Sequence, residues 1–463
     1  MMILVIIEQF RPDYLEAARP MLSPGGFRRI FEKGAYFPDC RNNASTFPAS
    51  SIATLATGAW PAQHGVVADT WYDRASRRPV AASSEQLLAT TLAAQIAEDS
   101  RARVFVIGMN QADAGLFAGT PEAKLFWMDP QGEFTTSGDT PEWLRPFNAQ
   151  KHAESARNAK WMAMGFKPDA PPLRTLAYDA EHPQEFLRLY RSSPFAQSSQ
   201  FDLLSELIAR EHLGQENTLD FVCLLAQSTT LLGYETGGRS PLMPQMILNA
   251  DRKLEALLAQ LSITHSDGAW AVAVAGAHGA PPEPPADTRV RLAVKGERVA
   301  QAVEKALAAA GVGRVDKYLY PFLYLDPGGS RDPEPIRRLA GRAALDFPAV
   351  ANYYTLGGDA SVRNEWEQRF RNSFHPTRSG DVMLSYRPEY VEDWDQGRGI
   401  SYGSLYNYDV RVPLMFYGPQ FKSGVTIEAP VETVDLAATL ARAAGVAPPS
   451  SGLGRVLGEA LAE

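Results

Sequence analysis

Residues 43–73 read Asn-Ala-Ser-Thr-Phe-Pro-Ala-Ser-Ser-Ile-Ala-Thr-Leu-Ala-Thr-Gly-Ala-Trp-Pro-Ala-Gln-His-Gly-Val-Val-Ala-Asp-Thr-Trp-Tyr-Asp. Small hydroxyl residues lead into Pro48, a helix-compatible run follows, and Gly58 stops it. The pattern predicts a helix whose first backbone N–H groups are free and aimed at whatever precedes them. A Thr or Ser at such a start is placed to meet an anion or to act as a nucleophile. A capped surface helix is the plainer reading of the same residues. The rest of the chain decides between the two.

On either side of this stretch the chain alternates strand and helix. Residues 3–7 are a continuous, mostly β-branched apolar run, as expected of a strand buried on both faces of a parallel sheet. Glu8 stands at its C-terminal end, where open α/β sheets place their ligands. Three similar runs follow at 103–108, 219–226 and 270–275. They end in Met109-Asn110-Gln111, in Gln227-Ser228-Thr229-Thr230 and in Gly276-Ala277-His278-Gly279-Ala280. Helical spacing is expected at 26–34, 85–98, 200–211, 241–261 and 431–444. This alternation predicts an α/β fold, a doubly wound and mostly parallel sheet flanked by helices.

Two departures from the alternation set the domain organisation. Residues 117–190 are rich in Pro, Gly and Trp and read as an inserted cap segment over the sheet's edge. A Pro-rich break at 281–286 precedes short strands and helices, including 299–310 and 334–344, that suggest a small α+β subdomain. The expected division is a core of 1–286 and 374–463, with 287–373 as the subdomain. Strands at 382–386 and 412–417 are expected in the resumed core.

At 463 residues the chain can bury a large core, and its net charge of -8 argues against a nucleic-acid or anionic-membrane partner. A site on an acidic protein can still be locally positive. Two cysteines are too few for a disulfide framework, and Cys223, inside an apolar run, reads as a buried free thiol. No apolar run reaches the length of a membrane span, and the opening seven residues are too short for a signal-peptide core. The expected location is cytoplasmic, with a secreted form from a misassigned start codon as the alternative.

The strand-end residues carry a resemblance to the alkaline phosphatase superfamily, and within it to the type I phosphodiesterase/nucleotide pyrophosphatase branch and the phosphate-irrepressible alkaline phosphatases. The matching stretches are Glu8 to Leu15, Thr57-Gly58 with Pro61 and His64-Gly65, Ala275 to Ala280, Ser373 to Asp381, Tyr406 to Asp409, Val412 to Gly418 and Val434 to Leu440. They occur in family order over nearly the whole chain. The resemblance implies two divalent cations, usually zinc, flanking a Thr or Ser nucleophile. Thr46-Phe47-Pro48 resembles the nucleophile motif, but the distance to Thr57-Gly58 is two residues longer than usual. Ser50 and Ser51 are therefore alternatives to Thr46, and a third alternative is that no nucleophile is presented.

Carried over residue by residue, the family's ligand set is mostly replaced. Glu8 stands for an Asp. Thr230 and Tyr234 stand for an Asp and a His four residues apart. Ala277 replaces the Asp beside a retained His278, and Tyr402 replaces a His. The phosphate-binding Asn corresponds to Asp69, and a Lys-x-Arg pair corresponds to Asn110 and Ala112. Glu8 and His278, with Thr46, then make at most one weak site for a divalent metal, zinc or manganese, against the three or four ligands zinc sites use. No cofactor is expected at full occupancy. Tyr234 and Tyr402 are expected to fill space once held by metals, and Asp69, Asn110 and Thr230 to line the pocket with them.

Three readings follow. The first is a pseudoenzyme with a binding or regulatory role, whose partner is a small molecule, an active paralogue or a second copy of the chain. The second is an active phosphodiesterase or phosphatase that uses a rebuilt or single-metal site with Thr46 as nucleophile. The third is a metal-free enzyme of another class. The number of coordinated losses favours the first.

Overall fold

The structure is a computed structural model that describes residues 1–99, 101–165, 170–216, 218–266, 268–281, 293–361, 363–388, 390–394 and 399–462. Its centre is a ten-stranded mixed sheet. In spatial order the strands are Val425–Thr426, Ala35–Arg41, Arg411–Tyr417, Ala271–Gly276, Met2–Ile7, Asp220–Ala226, Arg103–Gly108, Lys124–Met128 and Phe134–Thr136, with Val431–Glu432 also on Ala35–Arg41. The five strands from Ala271–Gly276 to Lys124–Met128 run parallel. Arg411–Tyr417 is antiparallel to both of its neighbours.

Continuous apolar runs form these central strands because both faces of the sheet are covered. All six residues of Met2–Ile7 are buried, and they alternate between two cores. Ile3, Val5 and Ile7 pack with the helices Pro194–Arg210 and Leu242–Thr264. Met2, Leu4 and Ile6 pack with Pro48–Thr57, Gln111–Ala118 and Asp435–Ala444. Cys40 and Cys223 are buried free thiols. Among the described residues no helix is long and apolar enough to cross a membrane.

The 43–73 stretch folds as its punctuation predicts. Pro48–Thr57 is a helix with Pro at its first position. Gly58 ends it in the left-handed region (φ 66°), its N–H on the Thr54 carbonyl. The 85–98 helix is shorter than expected: a 3₁₀ turn at Ser84–Gln86 is followed by Leu92–Ala97. Thr91 caps that helix, accepting from Ala94 N and donating to the Ala118 carbonyl at 2.6 Å, so the chain is diverted before the helix starts.

A second, four-stranded antiparallel sheet has the order Arg314–Leu319, Phe322–Asp326, Val382–Tyr386, Val350–Thr355, with Gly296–Ala310 and Glu334–Leu345 on one face. The strand at 382–386, expected in the main sheet, pairs here instead. All five of its residues are buried, with Val382, Leu384 and Tyr386 in the small core and Met383 against the main one. A strand buried on both faces carries no mark of which sheet it joins. In the 117–190 segment, Lys124–Met128 and Phe134–Thr136 extend the edge of the main sheet. Of the helices that follow, Leu144–Asn148 packs on Phe134–Thr136, while His152–Ser155 and Pro183–Arg191 pack on the helix Pro194–Arg210. The expected boundary at 281–286 falls mainly outside the described residues.

Candidate functional site

Four parallel strands end side by side, and the residues just after them form the floor of the site. Glu8 follows Met2–Ile7, Asn110 lies two residues after Arg103–Gly108, Gln227 follows Asp220–Ala226, and Ala277 and His278 follow Ala271–Gly276. Gln9, beside Glu8, takes a positive φ of 48° and is buried. Its side chain lies over Gly233, on the helix Ser228–Thr236, where a Cβ would fall 1.6 Å from Gln9 Oε1 and would require the Gln9 amide to move.

Glu8 is wholly buried and accepts from Gln227 Nε2 at 3.1 Å. Gln227 also donates to Asp113 Oδ2 at 2.7 Å and accepts from Met109 N at 2.8 Å. Asn110 donates to the same Asp113 oxygen at 2.6 Å, while its own Oδ1 caps the helix Gln111–Ala118 by accepting from Asp113 N. Thr230 lies close to Glu8, and Thr229 Oγ1 donates to the Glu8 carbonyl at 2.6 Å. Burial, then the charge of Asp113, pushes the Glu8 carboxyl well above its usual range.

Asp69 reaches the same cleft from the loop after the Pro48–Thr57 helix. Its Oδ1 accepts from Ala49 N at 2.9 Å, and the Tyr402 hydroxyl donates to the carboxylate. Burial outweighs these bonds and, with Asp113, raises Asp69 to about 7. His278 is buried and pushed down to about 4 by burial. Its Nδ1 donates to the Gly279 carbonyl at 2.8 Å, which leaves Nε2 a bare lone pair, buried and without a partner.

Aromatic rings close the cleft. The Tyr402 ring lies 5.9 Å from His278, 6.2 Å from Phe47 and 5.1 Å from Trp394. Trp394 in turn stacks on Tyr234 at 6.5 Å and meets Tyr320 of the small sheet at 6.2 Å. Thr46 is buried, and its hydroxyl donates to the Ser404 carbonyl at 2.8 Å. Ser404 is held in turn by Asp409 Oδ2, which accepts from its N–H at 3.2 Å and its hydroxyl at 2.5 Å. Ser50 and Ser51 are spent within the fold. Ser50 donates to the carbonyls of Ser45 and Phe47, and Ser51 accepts from Asn42.

Glu8, Asp69, Asn110, Thr230, Tyr234, Tyr402 and His278 thus come together, with Thr46 at the cleft wall. Sequence reasoning missed Gln227, Asp113, Trp394 and Asp409. The first followed directly on a buried strand. The second was signalled by the Asn110-x-x-Asp113 cap pattern. Trp394 had no local signal.

The donor set does not fit the two-cation centre that the resemblance implies. Among the described residues no three His, Cys, Asp or Glu side chains stand close enough to share an ion. Glu8 and His278 are the surviving donors, Asp69 is engaged by Ala49 N and Tyr402, and the Thr46 hydroxyl is directed at a carbonyl. Protein zinc sites take three or four good ligands.

A sheet of this order, with its cleft over the parallel strand ends, is the alkaline-phosphatase-like fold. The chain belongs to the type I phosphodiesterase/nucleotide pyrophosphatase family, whose model matches residues 2–395. It is similar to a Myroides odoratus protein named calcium-transporting ATPase, at 23% identity over 515 aligned residues that cover 99% of this chain and 94% of that one. It is also similar to alkaline phosphatase PafA of Elizabethkingia meningoseptica, at 22% identity over 528, covering 99% and 93%. A crystal structure of PafA superposes with a TM-score of 0.85 at 19% identity over 100% of this chain and 98% of that one.

Proposed function

We propose that this chain is a family member in which two-metal phosphoester hydrolysis has been lost and the cleft serves a binding or regulatory role. The observation that carries this reading is Asp69. Its carboxylate sits on the first free N–H of the Pro48–Thr57 helix, where the helix start would otherwise meet an anionic substrate. Among the described residues no cation pairs with Asp69 or Glu8, and burial holds both carboxyls above their usual range, so a phosphate dianion arriving there is desolvated without a compensating charge beside either group. The Thr46 hydroxyl donates to the Ser404 carbonyl and, among the described residues, bonds to no base that could activate it as a nucleophile.

The second reading, an active phosphatase or phosphodiesterase with a single metal, draws support from the bare Nε2 of His278 near the surviving Glu8, and takes its reaction class from the alkaline phosphatase relatives. Elemental analysis of the purified protein, with assays on aryl phosphate mono- and diesters in added zinc or manganese, separates the two. The expected result is substoichiometric metal and no turnover above that of a Thr46→Ala variant. Stoichiometric metal with turnover abolished by Glu8→Ala overturns the first reading.

A further inference from the structure

Beside the cleft, the helices Pro183–Arg191 and Ser228–Thr236 border an open cavity of about 730 Å³, within the range that holds a small organic ligand. Arg188, Arg191, Ser192, Leu231, Tyr234 and Glu235 line it. Tyr234 is common to this cavity and to the aromatic cluster over the cleft.

The charges of the cavity are unevenly matched. Glu235 is saturated: it takes Arg174 Nη1 at 3.1 Å, Arg188 Nη1 at 2.9 Å and Ser192 Oγ at 3.2 Å, and these donors hold its carboxyl below the usual range against the effect of burial. Arg188 leans also on Glu185 at 3.3 Å, an exposed pair that solvent screens. Arg191 has no such partner. Its Nη2 donates to the Asp129 carbonyl at 2.5 Å, its Nε is buried without an acceptor, and no carboxylate among the described residues forms an ion pair with it. Asp129 lies near, but its Oδ1 is taken by the N–H groups of Gln131 and Glu133. Arg174, Arg188 and Glu235 are thus mutually paired, and of the two guanidinium groups that line the cavity, Arg188 and Arg191, only Arg191 is left without a carboxylate bonded to it among the described residues. Opposite them, Leu231 is 37% exposed, one of few large apolar side chains left open among the described residues.

We propose that this cavity binds an organic anion, with a carboxylate or phosphate-type head on Arg191 and an aromatic or alkyl body against Leu231 and Tyr234. A guanidinium gains most from a planar or tetrahedral oxyanion that it can meet with paired N–H donors, and a half-buried one gains more than one in water. The site shares Tyr234 with the aromatic cluster over the strand-end cleft but is not lined by the Glu8, Asp69 or His278 side chains, and does not depend on whether hydrolysis survives there.

Phenylphosphonate is a suitable probe because no phosphatase can consume it. Calorimetric titration of the full chain is expected to show saturable binding that weakens as salt rises, with phenol not binding. Arg191→Ala is expected to weaken binding by about tenfold or more, the loss of a charge-assisted contact. Leu231→Glu, a change at an exposed helical position that adds a repelling charge, is expected to do the same without touching the fold. Glu8→Gln is expected to leave the affinity unchanged. Absence of saturable binding to the unaltered chain overturns the proposal, as does binding indifferent to both Arg191→Ala and Leu231→Glu. An affinity changed by Glu8→Gln places the ligand in the cleft and overturns it too.

Discussion

Asp409 allows the electrostatics of the cleft wall to be tested quantitatively. It is fully buried, and burial raises it to about 7 although Ser404 donates two hydrogen bonds to it. In the unfolded chain an aspartate titrates near 3.9. Below that pH the group is protonated in both states and contributes nothing. Between the two values the unfolded chain is ionised and the folded one is not, so the folded state holds the extra proton and stability falls as pH rises. Each unit costs about 1.4 kcal/mol, and the full cost above pH 7 is about 4 kcal/mol.

Asp409→Asn keeps an oxygen for the Ser404 hydroxyl and removes the titration. It also places an amide where Oδ1 now has no partner, an offset of about 1–3 kcal/mol that does not vary with pH. The informative quantity is therefore the change in the difference between the two proteins. From pH 5 to pH 8 the variant is expected to gain about 3 kcal/mol relative to the unaltered chain, read from urea denaturation followed by tryptophan fluorescence. A difference that stays constant between those pH values, or that moves the other way, refutes the reasoning.

Two further perturbations follow from the fold. Asp251 on the helix Leu242–Thr264 accepts from Phe27 N at 2.7 Å and Ser23 N at 2.6 Å, satisfying the start of the helix Phe27–Lys33. Asp251→Ala is expected to cost about 2–4 kcal/mol, measured as a lowered denaturation midpoint. Gly403 has φ 97°, and a Cβ there would lie 2.5 Å from the Phe47 ring. Gly403→Ala is expected to displace Phe47 and cost more than about 2 kcal/mol, with a change in near-ultraviolet circular dichroism from the aromatic cluster.

The parallel core was legible because a strand buried on both faces writes itself as an unbroken apolar run, and each run located the ligand-facing residue that follows it. Glu8 and His278 are therefore placed at one edge by the sequence alone. The helix at Pro48 was legible because proline and glycine mark its ends. What the pattern could not carry was pairing at a distance. The run at 382–386 is as apolar as its counterparts in the main sheet but closes the small one, since pairing partners are chosen by the path of the intervening chain. Trp394 joins Tyr234 and Tyr402 through loop packing that no periodicity records. The role of Asp69 as an internal anion became visible only once its oxygen was found on Ala49 N.

The position of the strand Ala35–Arg41 has a consequence for how the molecule is made. Among the described residues its sheet partners, Arg411–Tyr417, Val425–Thr426 and Val431–Glu432, lie about 370–400 residues downstream. During synthesis this strand waits with both edges unpaired until nearly nine-tenths of the chain has been produced, and the Ala271–Gly276 strand waits with it on one side. The last ninth or so of the sequence is thus a fastening that joins two parts of the sheet, and a chain cut short before residue 411 retains an apolar strand with nothing to pair with. Such a product is expected to aggregate and not to persist as a smaller folded protein.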